Sequence, residues 1–329
     1  MTNDEYERLY KASRNIFQGN FKLTKKLLRD GYIEATRRVA DAVREANTAL
    51  QSDVLNAVHR ALKEGADSVS ALTANLIPGM ISNSYEPYAA IEKEYIKSAF
   101  DRAGVDLVDE WVDNIYIAVN QRLLLAQANR VVNGMTFSER IWATFDADGK
   151  PLGINGDYQY RIKSVIQSGF AQNRDVLDIA ADLNVYAKDG KTKLIKRYGR
   201  LVRGSGEFRK RISKQVDWRA VRLARSELYA SMQQAAVWDA EANPASNGLI
   251  DWFLTPGAQH NCVCPDIAAD TPYKVGQVPA YPHSNCLCFL VPRTQSREEF
   301  VNNIVDWDKG GYQPDIEAFY NDLYLKAAA

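Results

Sequence analysis

All four cysteines of this 329-residue chain, and two of its three histidines, fall between His260 and Cys288. They form two short runs, His260-Asn261-Cys262-Val263-Cys264 and His283-Ser284-Asn285-Cys286-Leu287-Cys288. Pro265, Pro272, Gly276, Pro279 and Pro282 punctuate the segment between them. A stretch of about twenty residues with so little regular structure is unusual in a compact domain unless its ends are tied. The thiols stand at those ends, so the pattern has three readings: a tetrahedral zinc site, a pair of disulfides, or unlinked buried thiols. The candidate metal ligands are Cys262, Cys264, His283, Cys286, Cys288 and His260, six groups for four positions. On a strand the two side chains of a Cys-x-Cys point to opposite faces, so one ion can take both only where the chain bends.

Catalytic zinc fits the spacing poorly. Zinc deaminases carry a Glu two residues after the His, where this chain has Cys262, and their Pro-Cys-x-x-Cys half is missing. A nuclease built on His260-Asn261 would need further His and acidic groups near the metal.

The charge balance, 41 basic against 41 acidic residues, supplies no global field that would draw the molecule to nucleic acid or to an anionic membrane. Met1 to Tyr10 is polar and acidic without a leader-like apolar run, and no segment approaches the roughly 18 apolar residues of a membrane span. Synthesis in a cytosol is the expectation; thiols stay reduced there, which favours a metal over disulfides.

Upstream, the periodicity is helical. Ile33, Thr36, Ala40, Val43, Asn47, Leu50, Val54, Ala57 and Ala61 step by three and four, predicting one long helix of about 45 Å. His59, on that helix, has no Cys or His near it in sequence and reads as a surface or core histidine. Gly65 is expected to close the helix and Ile77-Pro78-Gly79 to form the next break, with Pro87 in the first turn of a helix from Glu86 to Arg102. Val108, Val112, Ile115, Val119, Leu123 and Ala126 mark the inner face of another helix. Asp146, Asp148 and Gly149 superficially suggest a calcium loop, but the ligand spacing fails, so Phe145–Asp157 reads as a linker. Two shorter helices are expected near Tyr158–Ser168 and Arg174–Leu183.

Lys188 to Arg211 carries ten basic residues against Asp189 and Glu207, with Tyr198, Phe208 and four glycines interleaved. A charge run is ordinarily solvated surface. A mobile basic arm with aromatics also suits a phosphate backbone or an acidic partner, and Lys193, Lys196, Arg197, Arg200, Arg203, Arg209, Lys210 and Arg211 are the candidate contacts. After Asp217, a plausible N-cap, Val221, Ala224, Leu228, Met232 and Ala235 form an apolar stripe that ends at Asn243-Pro244. Arg225 borders that stripe and Glu227 points away from it, which predicts a structural Arg and a solvated Glu; only a cleft around the two would suggest a host-directed effector. Leu249–Thr255 and Cys286–Pro292 read as strands. Ser296 and Glu299 form a capping-box pattern, Gly310-Gly311 a break, and Pro314 the start of a last helix.

Arg225-Ser226-Glu227-Leu228, Trp252, His260-x-Cys262-x-Cys264-Pro265, Tyr273, Pro279, Pro282-His283 and Asn285-Cys286-Leu287-Cys288 together resemble the C-terminal domain of phage minor head proteins of the Mu F-like head morphogenesis family. The similarity spans roughly Val216 to Pro292. Two departures bear on the ligand set: the family commonly has Cys-x-x-Cys in the first knuckle and Arg between the closing cysteines, where this chain has Cys-Val-Cys and Leu287. The resemblance implies a virion component near the portal, inside the capsid, that aids head assembly, DNA packaging or genome delivery. Its implied partners are the portal protein, other capsid components and packaged DNA, with no membrane and no small-molecule substrate. The rival reading is a zinc-dependent nucleic-acid-processing enzyme that uses His260 and the basic segment.

The expected architecture is mainly α: a helical bundle with long helices over 1–135, then a linker, short helices and the basic segment over 136–215. A small α+β module clasped by the Cys/His cluster covers 216–295, and a helical tail 296–329.

Overall fold

The computed structural model describes residues 3–45, 51–172, 174–198, 206–255, 261–284 and 286–324. Long helices dominate: α1 (Asn3–Glu45), α2 (Gln51–Ala103) and α3 (Asp109–Asn129). Next come α4 (Phe137–Trp142), α5 (Ile154–Ala171), α6 (Val176–Tyr198), α7 (Gly206–Arg211) and α8 (Trp218–Ala242). The C-terminal part holds β1 (Ser246–Phe253), α9 (Cys264–Ala269), β2 (Tyr273–Lys274) and β3 (Phe289–Thr294). It closes with α10 (Arg297–Asp308), α11 (Pro314–Glu317) and a π-helical stretch Ala318–Tyr324. The mainly α architecture with a small C-terminal α+β module and its Cys/His cluster is the one expected. No helix among the described residues is long and apolar enough to cross a membrane.

The chain divides into two compact units that are interleaved along the sequence rather than consecutive. The first comprises Met1–Phe21, Pro78–Gln127 and Arg225–Ala329; the second comprises Lys22–Ile77 and Ala128–Ala224. Chain order and spatial grouping therefore differ, because α1, α2, α8 and the end of α3 contribute residues to both units.

In the second unit Leu28, Tyr32, Ile162, Leu183 and Tyr186 are fully buried. Gly65 does not end a helix: it lies inside α2, where an added Cβ would stand 3.2 Å from the Tyr158 hydroxyl and 3.5 Å from the Ala35 carbonyl. Its role is close approach, not termination. Pro78 and Pro87 also lie inside α2, against the expected break and restart. Pro78 has no N–H to give the carbonyl four residues back, yet Ile77, Met80, Ile81 and Tyr85 are all buried around it, and packing overrides the local preference. Of the predicted seam, Thr36, Ala40 and Val43 are buried on α1, while Asn47 and Leu50 lie outside the described residues. His59 is exposed and belongs to no candidate metal group.

At 145–151 the turn is closed by a bridge between Phe145 and Pro151, and Asp146 Oδ1 accepts from the Asp148 and Lys150 amides at 3.0 and 2.8 Å. Asp146 is thus used locally. The two shorter helices expected here are longer: α5 starts at Ile154, and α6 runs on to Tyr198 through a kink at Gly190, whose φ is +76°. There the chain turns so closely that a Cβ on Gly190 would meet the Lys214 carbonyl at 2.4 Å.

In the first unit α3 buries Val112, Ile115, Val119 and Leu123, but Val108 lies before the helix and is exposed, and Gln127 rather than Ala126 completes the inner face. The sheet has the order β2-β1-β3 and is antiparallel throughout, with an irregularity between Ser246 and Ile250. Pro292 sits in β3, an edge strand where its missing N–H can face away from the ladder. Ser296 caps α10 by accepting from the Glu299 amide at 3.2 Å, as its pattern predicts. Tyr95, Trp252, Phe300 and Ile304 share one hydrophobic core with Cys264, Cys286 and Cys288.

Candidate metal centre

The cysteine-bearing segments are positioned by the small sheet. Cys262 and Val263 lie in a bend that enters α9, with Cys264 its first residue and Pro265 following, a position where a missing N–H costs nothing. Cys286 and Cys288 lie just ahead of β3, which starts at Phe289 rather than at Cys286 as expected. Neither pair is on a strand, so the face-alternation obstacle does not arise.

Two triads of ligand atoms result, each with all members within 4.8 Å of one another: Cys262, Cys264 and His283, and Cys264, Cys286 and Cys288. Cys264 is common to both. Its Sγ is 3.2 Å from His283 Nε2 and 3.5 Å from Cys286 Sγ. A bonded S–S pair would be about 2.05 Å apart, so these are thiols, and the described residues hold four free cysteines. Tetrahedral zinc with Zn–S near 2.3 Å places neighbouring sulfurs about 3.8 Å apart. The observed spacing is close to that, and the site can hold a metal ion. Of the sequence candidates, the structure brings together Cys262, Cys264, His283, Cys286 and Cys288; His260 lies outside the described residues.

Cys264, Cys286 and Cys288 are buried, and Cys262 is exposed at the rim. Burial, with the neighbouring Cys262 thiol adding to it, pushes Cys264 up to about 12. The hydrogen bond to Cys288, and then burial, push Cys286 far above the usual thiol range. The same interaction acts in reverse on Cys288: the Cys286 thiol, helped by Cys264 and the Trp252 indole, outweighs burial and lowers it to about 6. Of the three buried thiols, Cys288 therefore most readily carries the thiolate charge, the form that binds metal.

The backbone of the closing pair is held by side chains that sequence reasoning did not single out. Tyr281 Oη donates to the Cys286 carbonyl at 3.1 Å, Gln233 Nε2 to the Cys288 carbonyl at 3.1 Å, and the Thr255 hydroxyl to the Leu287 carbonyl. Arg14 on α1 donates to Thr255 Oγ1 at 3.0 Å and stacks its guanidinium over Phe289 at 4.6 Å. Lys11 lies over Phe253, which stacks on Phe289 with centroids 5.4 Å apart. Apart from Tyr281, which lies five residues before Cys286, these partners come from elements far apart in the chain, and no local pattern marks them.

Where it is described, the basic segment is helical rather than an extended arm, and most of its cations are at the surface. Lys188–Tyr198 is helical and so is Gly206–Arg211. Arg197 is committed to the second unit: its Nε donates to buried Asp182 at 2.6 Å, and Nη2 lies 3.3 Å from Asp178. Lys193, Lys196, Lys210 and Arg211 are exposed; Arg200, Arg203 and the side chain of Arg209 lie outside the described residues. Arg225 stacks over Phe21 at 5.2 Å, in keeping with a structural role, whereas Glu227 is fully buried rather than solvated. The 3.6-residue stripe misplaces Glu227 because α8 is covered on more than one side: Ser226, Glu227 and Leu228 are consecutive and all buried.

No family model matches this chain, and comparison with curated proteins and with solved structures finds no match to either.

Proposed function

We propose that the chain is a non-catalytic structural protein whose C-terminal module is held together by one zinc ion, and that it serves as a minor head protein of a tailed phage. One observation carries the zinc reading: five soft or borderline donors from two distant runs converge on Cys264. Thiolate-rich sets suit zinc among the common divalent ions. Four of Cys262, Cys264, His283, Cys286 and Cys288 would close a tetrahedron from protein groups alone, the mark of a structural site, whereas a catalytic site keeps a position open. Bound there, zinc would join the bend before α9 to the segment before β3.

The placement in a virion rests on the resemblance of residues 216–292. In that setting the protein works near the portal, in the capsid interior, after synthesis in the host cytoplasm, and aids assembly, packaging or ejection. Lys193, Lys196, Lys210 and Arg211 are the exposed cations that support contact with packaged DNA or an acidic portal surface. Arg197 leaves that set because Asp178 and Asp182 occupy it.

Mass spectrometry of purified procapsids and virions from the parent phage tests the assignment. The protein is expected in both at low copy, and its absence from both would overturn the reading. Metal-dependent turnover of DNA or RNA, abolished by His260→Ala, would replace it with the nuclease-like enzyme.

A further inference from the structure

Away from the cysteines, the first unit buries three carboxylates, Glu227, Glu92 and Asp239, and the last two form a pair that no metal centre uses. Glu92 on α2 and Asp239 on α8 are both 0 % exposed. Tyr6 on α1 donates its hydroxyl to Glu92 Oε1, and Asn243 Nδ2 donates to Glu92 Oε2 at 2.6 Å. The Asn243 amide is fixed in that orientation, since its Oδ1 accepts from the Ala245 amide at 2.8 Å. Both oxygens of Glu92 therefore accept. Asp239 is served differently: Tyr85 Oη donates to Oδ1 at 2.6 Å, while Oδ2 is buried and has no hydrogen-bond partner among the described residues.

The groups facing the pair are otherwise phenols. Tyr6 and Tyr10 come from α1, Tyr85, Tyr88 and Tyr95 from α2, and Tyr116 from α3. Among the described residues no Lys, Arg or His forms an ion pair with either carboxylate; burial and neutral donors act on both, and the charge of Glu92 acts on Asp239 as well. Arg122 on α3 is turned onto the Trp238 ring and toward Glu241. An ionised carboxylate with a bare oxygen in such a place would be an uncompensated buried charge, which is strongly unfavourable; neutralisation by a proton is the ordinary escape.

We propose that Asp239 is a neutral carboxylic acid in the folded protein at neutral pH, its proton on Oδ2, and that the Glu92–Asp239 pair makes the packing of α1 against α2 and α8 in this unit sensitive to pH. Burial, and after it the charge of Glu92, hold Asp239 well above the usual carboxylate range, and burial lifts Glu92 to about 7. The two behave as one titrating system. The sign follows from linkage. Once pH exceeds about 4 the unfolded chain has released these protons while the folded chain keeps them. The folding equilibrium constant therefore drops about tenfold per pH unit for each proton retained, until the folded pair also ionises.

The test is urea unfolding of the full-length protein and of Asp239→Asn from pH 4 to 8, with a ¹³C-carboxyl NMR titration of the wild type. Asn imitates the neutral acid, so the advantage of wild type over D239N in the folding equilibrium constant should shrink about tenfold per pH unit from pH 4 upward, and the Asp239 carboxyl should not titrate near 4. An advantage independent of pH above 5, or an Asp239 carboxyl that titrates near 4, would overturn the proposal. If D239N does not fold, the wild-type titration decides alone.

Discussion

In the second unit, buried Asp182 lies between two arginines, with Arg174 at 3.0 Å and Arg197 at 2.6 Å. Asp157 is held likewise by Arg161 at 2.6 Å and Arg219 at 3.4 Å. In the first unit Glu92 and Asp239 lie among tyrosines and aliphatic side chains, and the three buried thiols lie against one another and His283. The contrast teaches where the molecule depends on something besides its own side chains. A buried anion must be paired, protonated or bound to metal. At Asp182 and Asp157 the second unit supplies its own counter-charges; the Glu92–Asp239 pair of the first is left to recruit a proton and, on our proposal, its thiols zinc.

The largest effect expected from breaking this contrast is at the thiols. Structural zinc sites contribute on the order of 10 kcal/mol of apparent binding energy to folding. Cys264→Ser, or chelation, should therefore accelerate amide exchange strongly across 246–294 while 154–198 stays protected. Uniform exchange in both regions would show that the thiols staple nothing.

On the other side of the comparison, Arg174→Ala leaves buried Asp182 with one arginine and should cost about 3 kcal/mol in chemical denaturation of the second unit. A cost below 1 kcal/mol would mean that this pair is no more self-sufficient than a surface bridge.

Glu92→Gln comes next. Because burial lifts Glu92 to about 7, its contribution to stability is fully present below about pH 4.5 and is lost as pH rises through 7. Substitution should remove a slope of up to about 1.4 kcal/mol per pH unit between those limits. Parallel pH profiles for wild type and variant would contradict this.

The smallest stability effect is at the exposed lysines. Lys193→Ala with Lys196→Ala should change stability by no more than about 0.5 kcal/mol. If the segment contacts DNA, the double variant should flatten the salt dependence of binding by about two phosphate contacts. An unchanged slope would remove this face from the interface.

The sequence was most readable where local chemistry repeats. The Ser296–Glu299 cap and the 112–123 seam of α3 need only spacing, and each is found in place. The Cys/His cluster was legible because rare residue types gather in two runs, and five of the six candidate ligands are brought together. What escaped depends on contacts distant in sequence. Gly65 and Pro78 read as breaks because propensity is local, whereas the packing of Tyr158 and of the buried residues around Pro78 holds α2 continuous. Arg197 read as a free cation because its partner Asp182 stands outside the run of basic residues and only the fold shows it to be buried. The Glu92–Asp239 pair spans α2 and α8, and no spacing rule joins them.

Metal stoichiometry on the reduced, freshly purified full-length chain tests the central claim most directly. The account predicts one zinc per chain, retained in His260→Ala and lost in Cys264→Ser. A metal-free protein with four titratable thiols and the same thermal stability with and without added zinc would contradict it.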